Sequence, residues 1–342
     1  MKNQRFTLAK RPAGMPDHSH FKLETVPVPD LAEGQILLKT IYLSLDPYMR
    51  GRMNDAPSYA APVEIGQVME GGTVSQVVDS RHPDWQTGEL VVSRTGWQSY
   101  AISDGQGLRR LDPDIAPIST ALGILGMPGF TAYAGLLEIG QPKEGETVVV
   151  SAASGAVGQV VGQIAKLKGC RVVGIAGAAD KCAHAVDELG FDACVNYKDS
   201  DFADQLKAAC PNGVDIYFEN VGGKVLQTII DLMNDFSRMP VCGLIAHYND
   251  TELPAGPDQL PRLMQAVLTR RIMIRGFIQF DFAPLFPQFL QDMSDWIRSG
   301  KIKYREDIVD GLENTVDAFQ GLLTGRNRGK LLIRVADDPT QQ

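Results

Sequence analysis

Cysteine is scarce in this chain and confined to one half of it. Only five occur among 342 residues, and Cys170, Cys182, Cys194, Cys210 and Cys242 all lie in the second half with no pair at CxxC spacing. That excludes a disulfide framework and a clustered structural zinc site. An odd number of separated thiols, with no charged-then-apolar leader at the start, gives the expectation of a reducing compartment, the cytoplasm. Long apolar runs are missing too: stretches such as 147–153 fall far short of the ~20 residues that a membrane helix needs. Positive charge is outweighed, with 33 Lys and Arg against 41 Asp and Glu and a formal charge of −8. That is the wrong sign for a general phosphate-backbone binder, so neither nucleic acid nor membrane is an expected partner. Internal repeats and low-complexity tracts are absent as well, and the Pro-rich stretch 253–261 reads as a surface loop.

What is present is material for about two domains, with 44% hydrophobic and 22% charged residues, ordinary values for a folded protein. From 6 to about 111 the chain reads as short β-like runs (35–43, 65–78, 90–95 and 97–102) broken by Gly, Pro and Asp, the grammar of a β barrel or sandwich. From 146 onward the period changes. Strands are expected at 147–152, 171–176, 193–197, 215–219, 241–246 and 272–277, with helices between them at 157–168, 181–189, 202–209, 224–233 and 259–269. Six strands joined by helices imply right-handed crossovers and an α/β fold with a doubly wound parallel sheet. After 300 come a short strand, a helix through 318–323 and a strand at 330–335, which by pattern alone fit either domain.

The 34 glycines are gathered in short motifs. Directly after the first strand of the parallel sheet stands Ser151-Ala152-Ala153-Ser154-Gly155-Ala156-Val157-Gly158, an A-x-G-x-x-G turn that opens a helix. Gly155 lets backbone approach a pyrophosphate and Gly158 lets helix and strand pack closely. The free N–H groups of Ala156, Val157 and their neighbours receive negative charge. The second strand runs out into Gly177-Ala178-Ala179-Asp180-Lys181, with no acid at its tip for a ribose 2′-hydroxyl and a lysine one turn on. That favours NADP(H) over NAD(H), Asp180 being a cap or first-turn acid; the alternative is that Lys181 is one more solvated lysine.

Several phrases carry a more specific signal: Leu45-Asp46-Pro47-Tyr48-Met49-Arg50-Gly51, Gly126-Met127-Pro128-Gly129-Phe130-Thr131-Ala132-Tyr133, the glycine turn, Glu219-Asn220-Val221-Gly222-Gly223, Cys242-Gly243-Leu244-Ile245-Ala246-His247-Tyr248-Asn249, and Asn327-Arg328-Gly329-Lys330. With them the chain resembles, nearly end to end, the zinc-independent medium-chain dehydrogenase/reductases. The likeness is to the leukotriene B4 dehydrogenase/prostaglandin reductase group, which includes bacterial NADPH-dependent curcumin reductases. The resemblance implies a GroES-like β-rich catalytic domain (1–122 with 303–342) and an inserted Rossmann-type NADP-binding domain (123–302), with the site in the crevice at the carboxyl ends of the strands. It implies cofactor contacts from Met127, Thr131, Gly155, Ala156, Val157, Gly158, Gly177, Lys181, Tyr197 and Asn220. Further contacts would come from Cys242, Gly243, Ile245, Tyr248, Phe277, Ile278, Gln279 and, from the returning tail, Asn327.

Zinc-dependent relatives place a cysteine in the segment matching 43–46 and a Gly-His-Glu near Gly66. Here no cysteine precedes Cys170, and Gly66-Gln67-Val68 replaces the triplet, so the three protein ligands of a catalytic zinc are missing and no metal is expected. His18, His20, His82 and His184 read as surface residues; His247 alone falls in a cofactor-lining motif, where a substrate contact is open. The reaction expected is NADPH-dependent reduction of the C=C bond of an α,β-unsaturated ketone or aldehyde, with hydride reaching the β-carbon and an enolate forming that needs a hydrogen-bond donor. Tyr248 and Tyr59 are the candidate enolate or substrate contacts and Tyr48 a nicotinamide-side wall, against the alternative of amphipathic tyrosines at a domain boundary. Arg50 and Arg52 would orient an anionic substrate tail or pair structurally, and Met69, Met127 and Met264 read as packing residues. Competing functions are a hydroxyl dehydrogenase or quinone reductase on the same scaffold, or a non-enzymatic NADPH-binding protein. The apolar strand at 272–280 would lie at a sheet edge, where a homodimer is expected.

Overall fold

A computed structural model describes residues 1–341, which form two compact units, one of 1–123 with the chain from 306 onward and one of 124–305. In chain order, β1 (Lys2–Leu8) and β2 (Phe21–Pro27) pair as an antiparallel hairpin. There follow β3 (Ile36–Ser44), the single turn α1 (Tyr48–Gly51), β4 (Thr73–Ser80), β5 (Leu90–Ser93), β6 (Tyr100–Ser103) and β7 (Arg109–Arg110). The middle of the chain runs α2 (Met127–Ala134), β8 (Thr147–Ser151), α3 (Gly158–Leu167), β9 (Arg171–Ala176), α4 (Ala179–Asp187), β10 (Ala193–Asn196), α5 (Phe202–Ala209), β11 (Val214–Phe218), α6 (Gly223–Ile229), β12 (Met233–Val241), α7 (Leu260–Arg270), β13 (Met273–Gly276) and α8 (Phe286–Arg298). The tail adds β14 (Glu306–Asp310), α9 (Thr315–Leu323) and β15 (Lys330–Arg334).

In the first unit the tail strands complete the sheet begun at the amino terminus, in the order β14-β15-β3-β4-β5-β7, with β6 also on β3. Its core is aromatic. Trp97, fully buried, stacks on Phe21 with ring centroids 5.4 Å apart and meets Phe319 of α9 edge-on at 5.4 Å, an arrangement that suits ring quadrupoles. Asp46, just before α1, forms a buried ion pair with Lys330 at 2.8 Å, and the same ammonium donates to the Leu45 carbonyl. Thus β15 is tied to the turn that carries Tyr48.

In the second unit six parallel strands lie in the order β10-β9-β8-β11-β12-β13. The central strand β8 is buried along its whole length, as a parallel strand covered on both faces must be. This is the expected doubly wound sheet, with one correction. The fifth strand is Met233–Val241, not 241–246, and residues 242–248 are loop and a short 3-10 turn at Ile245–His247. The apolar run Cys242–Ala246 mimics a strand, while the true one carries Asn234, Asp235 and Arg238 and shifts register against β11. The difference moves Cys242–Tyr248 past the strand's carboxyl end, which is where open sheets bind ligands. Smaller differences follow the same logic. The run 65–78 is a strand only from Thr73, 97–102 pairs with β3 only from Tyr100, and 224–233 is helical to Ile229 before a 3-10 turn. Met69 is buried as a packing residue, whereas Met264 is 54% exposed on the outer face of α7.

Candidate cofactor and active site

The glycine turn joins β8 to α3. Ala152 takes a left-handed conformation (φ 51°), its carbonyl accepts the Gly155 N–H at 2.9 Å, and Ala153 N–H donates to Ile175 of β9 at 3.0 Å. A Cβ on Gly158 would lie 2.2 Å from the Ala152 carbonyl oxygen, so no other residue lets α3 start so close to the turn. At Gly155 the same test gives 3.1 Å, tight but not prohibitive. No side chain caps α3 and no acid stands in its first turn. The partial positive charge of the helix start is therefore left for an anion, which fits a pyrophosphate.

At the carboxyl end of β9, a Cβ on Gly177 would sit 2.8 Å from the Tyr197 ring, so the ring lies over the glycine, and Tyr197 N–H donates to Ala176 at 3.0 Å. Lys181 follows in the first turn of α4, with Asp180 as a first-turn acid. Lys198 holds its ammonium 5.9 Å from the Tyr197 ring centroid. It is a second cation at this corner that the sequence reading passed over, although a lysine next to a candidate phosphate-binding tyrosine was the signal. Two lysines and a phenol hydroxyl are the donor set that a 2′-phosphate takes.

Past β11 the chain makes a tight loop around one buried carboxylate. Glu219, with no exposed surface, accepts through Oε1 from the N–H groups of Val221 (2.6 Å) and Gly222 (2.9 Å), from the Tyr217 hydroxyl (3.0 Å) and from Ser151 Oγ (3.2 Å). Its backbone carbonyl accepts from Cys242 and Gly243 at 2.9 and 3.2 Å. Burial pushes its carboxyl above the ordinary value, against the pull of those donors. Asn220 is fixed through Ser151, its N–H donating to Oγ and its side-chain amide to the carbonyl, both at 2.8 Å. Glu219 was legible only as part of a phrase; its role as the hub appears with the burial.

The loop after β12 closes onto the same place. His247 Nε2 accepts the Gly223 N–H at 3.0 Å, while Nδ1 meets Asp250 at 2.8 Å, so His247 shapes the glycine loop. Tyr248 turns its hydroxyl back to accept from Leu244 N–H at 3.3 Å, and Gly243 lies beneath it, where a Cβ would be 3.0 Å from the phenol oxygen. Desolvation, with the Glu219 carboxylate adding to it, pushes the Cys242 thiol up to about 12, so it is a neutral lining group at pH 7. Phe277 is buried and meets Phe218 edge-on at 6.2 Å. Ile278 and Gln279 follow it into a short 3-10 segment. Met127 opens α2, and its carbonyl accepts from the Thr131 hydroxyl at 2.8 Å.

The remaining candidates belong to the first unit. Tyr48 opens α1, and burial, followed by the charges of Asp46 and Glu70, holds its phenol proton well above the usual range. Tyr59 stands on the exposed loop 54–62, 58% exposed itself. The two arginines nearby pair structurally. Arg50 is buried and donates to the carbonyls of Gly14 (2.8 Å) and Pro12 (3.3 Å) and to Asn54 (2.6 Å), and Arg52 pairs with Glu70 at 2.7 Å. Asn327 donates to the Gly329 carbonyl at 2.9 Å in the turn before β15. Among the described residues no three His, Cys, Asp or Glu side chains gather as a metal site, and no helix is long and apolar enough to cross a membrane.

Comparison with known proteins gives the family and agrees with the fold. Residues 4–111 match the family described as N-terminal domain of oxidoreductase, and residues 156–297 match the zinc-binding dehydrogenase family. The chain is 57% identical to the NADPH-dependent curcumin reductase of Escherichia coli (strain K12) over 98% of both chains. It is 45% identical to prostaglandin reductase 1 of Oryctolagus cuniculus over 95% of this chain and 91% of that one. The crystal structure of CurA in complex with NADPH from Vibrio vulnificus superposes with a TM-score of 0.94 at 54% identity, covering 98% of this chain and 100% of that one.

Proposed function

The chain belongs to the zinc-independent branch of the medium-chain dehydrogenase/reductase family, and on that premise we propose that it reduces the C=C bond of α,β-unsaturated ketones or aldehydes with NADPH and without a metal. The observation that carries the reading is the glycine turn, where a Cβ at Gly158 would collide with Ala152 and no side chain caps the helix start. Its chemistry is supported by the nearly full-length likeness to a curcumin reductase and a prostaglandin reductase.

When bound, NADPH supplies the hydride. In this reading the N–H groups of Ala156, Val157 and Gly158 hold the pyrophosphate, Lys181 and Tyr197 hold the 2′-phosphate, and Asn220, Cys242–Tyr248 and Phe277–Gln279 surround the nicotinamide half. Met127 and Thr131 add to that surround. Negative charge gathers on the substrate's carbonyl oxygen as its β-carbon takes hydride, and a tyrosine hydroxyl donates to that oxygen. Tyr248, Tyr59 and Tyr48 are the candidates, since a phenol is protonated at neutral pH and can donate. Incubation with NADPH deuterated at the transferable position and benzylideneacetone tests the reading. The expected product is the saturated ketone with deuterium on the β-carbon; an allylic alcohol, or turnover with a quinone or secondary alcohol only, overturns it.

The chain would work as a cytoplasmic homodimer, consistent with five free thiols and with an exposed edge. All four residues of β13 are exposed, and α7 presents Leu260, Met264 and Leu268 outward at a spacing of one turn, so a second copy pairing along β13 would cover both. Light scattering should give twice the chain mass; a monomer at micromolar concentration rules this out.

A further inference from the structure

The loop 54–62 leaves and rejoins the first unit through a closed neck. Val63 N–H donates to the Arg52 carbonyl at 2.8 Å, and Arg11 Nη1 donates to the carbonyls of Met53 (3.1 Å) and Val63 (3.0 Å). The neck is therefore held by one main-chain bond and the Arg11 side chain, neither of which involves the loop's tip. The tip carries Tyr59, whose ring centroid lies 4.6 Å from the Arg52 guanidinium. The same guanidinium is 5.8 Å from the Tyr48 centroid and is aimed by Glu70, which accepts from Nε at 2.7 Å. Arg52 is only 7% exposed although Tyr59 is 58% exposed. A cation so withdrawn from water needs an anion and polarisable neighbours, and here it has one carboxylate and two aromatic rings.

We propose that Arg52 is a positioning residue that sets substrate selectivity: by docking the Tyr59 ring beside Tyr48 it builds an aromatic platform that favours enones bearing a flat aryl group on the β-carbon. This rests on the enone-reductase reading above. Arg52 itself need not touch the reacting atoms. It orients an exposed ring, and an ordered aromatic face binds a second aromatic face without an ordering cost at the moment of binding.

The test compares two ketones that differ only at the β-carbon, benzylideneacetone (phenyl) and ethylideneacetone (methyl), as a ratio of kcat/KM. Arg52→Gln should lower the phenyl-over-methyl ratio by about tenfold, through KM for the phenyl ketone. Tyr59→Leu should do the same, and the double variant should go no further, because the two residues act as one unit. Arg52→Lys, which keeps the charge but loses the fork, should restore part of the ratio. Hydrogen exchange on the protein without substrate gives a second readout, with amides of 54–62 exchanging faster in Arg52→Gln. An unchanged ratio, an equal loss on both ketones, or additive single effects overturns the proposal while leaving the enone reading intact. If the wild type reduces neither ketone, the enone reading and the selectivity claim both fall, and the exchange data then report loop docking alone.

Discussion

His247 accepts the backbone N–H of Gly223 through Nε2 at 3.0 Å, with Nδ1 directed to Asp250. The imidazole thus holds a loop whose glycines both have positive φ, 78° at Gly222 and 56° at Gly223, and which follows directly on Asn220. Nε2 can accept only in the tautomer that carries its proton on Nδ1, and the Asp250 contact stabilises that tautomer. Replacing His247 by Leu keeps bulk and removes the acceptor. A lost hydrogen bond of about 1 kcal/mol corresponds to roughly a fivefold rise in the dissociation constant for NADP+ measured by calorimetry. Unchanged affinity would mean that the loop holds its shape without the imidazole.

Gly155 and Gly158 separate binding from stability. Ala at position 158 would place its Cβ 2.2 Å from a backbone carbonyl, whereas at position 155 the same contact is 3.1 Å. Gly158→Ala should therefore lower stability by about 2 kcal/mol or more, as overpacking against main chain does. Gly155→Ala should fold with a nearly unchanged Tm yet bind NADP+ more weakly, because its methyl group stands where backbone approaches the pyrophosphate. Thermal melts with and without nucleotide distinguish the two; equal melting losses in both variants would contradict this division.

Lys181 and Lys198 bear on the choice between the two nicotinamide nucleotides. Charge-assisted bonds to a phosphate contribute about 1.5–3 kcal/mol, so Lys181→Ala should weaken NADPH binding by at least about tenfold and leave NADH binding nearly as it was. Lys198, near the Tyr197 ring, should make the double alanine variant weaker still toward NADPH. Equal losses for both nucleotides, measured by fluorescence titration, would assign the lysines a structural role instead.

How much of this was legible in the letters depends on where burial follows composition. Strands β8 and β9 are apolar and buried at their centres, so Val148–Val150 and Val172–Val173 announced the sheet. Strand β12 did not. Its Arg238 is placed in the sheet by an ion pair with Glu146 at 2.7 Å and by bonds to the carbonyls of Gly140 and Gln141, partners about a hundred residues away that no local pattern encodes. The site divides in the same way. Gly155, Gly158 and Lys181 follow from the physics of a strand, a turn and a helix start. The work of Glu219, His247 and Arg52 depends on partners brought together only by the fold, Ser151, Gly223 and Glu70.

Glu219 gives the last expectation, on pH. Burial holds its carboxyl above the ordinary value, so the folded chain keeps a proton that the unfolded chain, with a carboxyl near about 4.3, has already released. This group's contribution is therefore full below the unfolded value and declines as pH rises through the window up to the raised folded value. Glu219→Gln cannot titrate, and its amide oxygen can still accept from Val221 and Gly222. The difference in urea stability, variant minus wild type, should then rise steadily from about pH 4.5 upward. Glu219→Ala, by contrast, strands the N–H groups of Val221 and Gly222 together with Tyr217 and Ser151, and should lie about 3 kcal/mol below Glu219→Gln at every pH. A Gln-minus-wild-type difference that stays flat with pH would show that Glu219 folds as an ordinary ionised carboxylate.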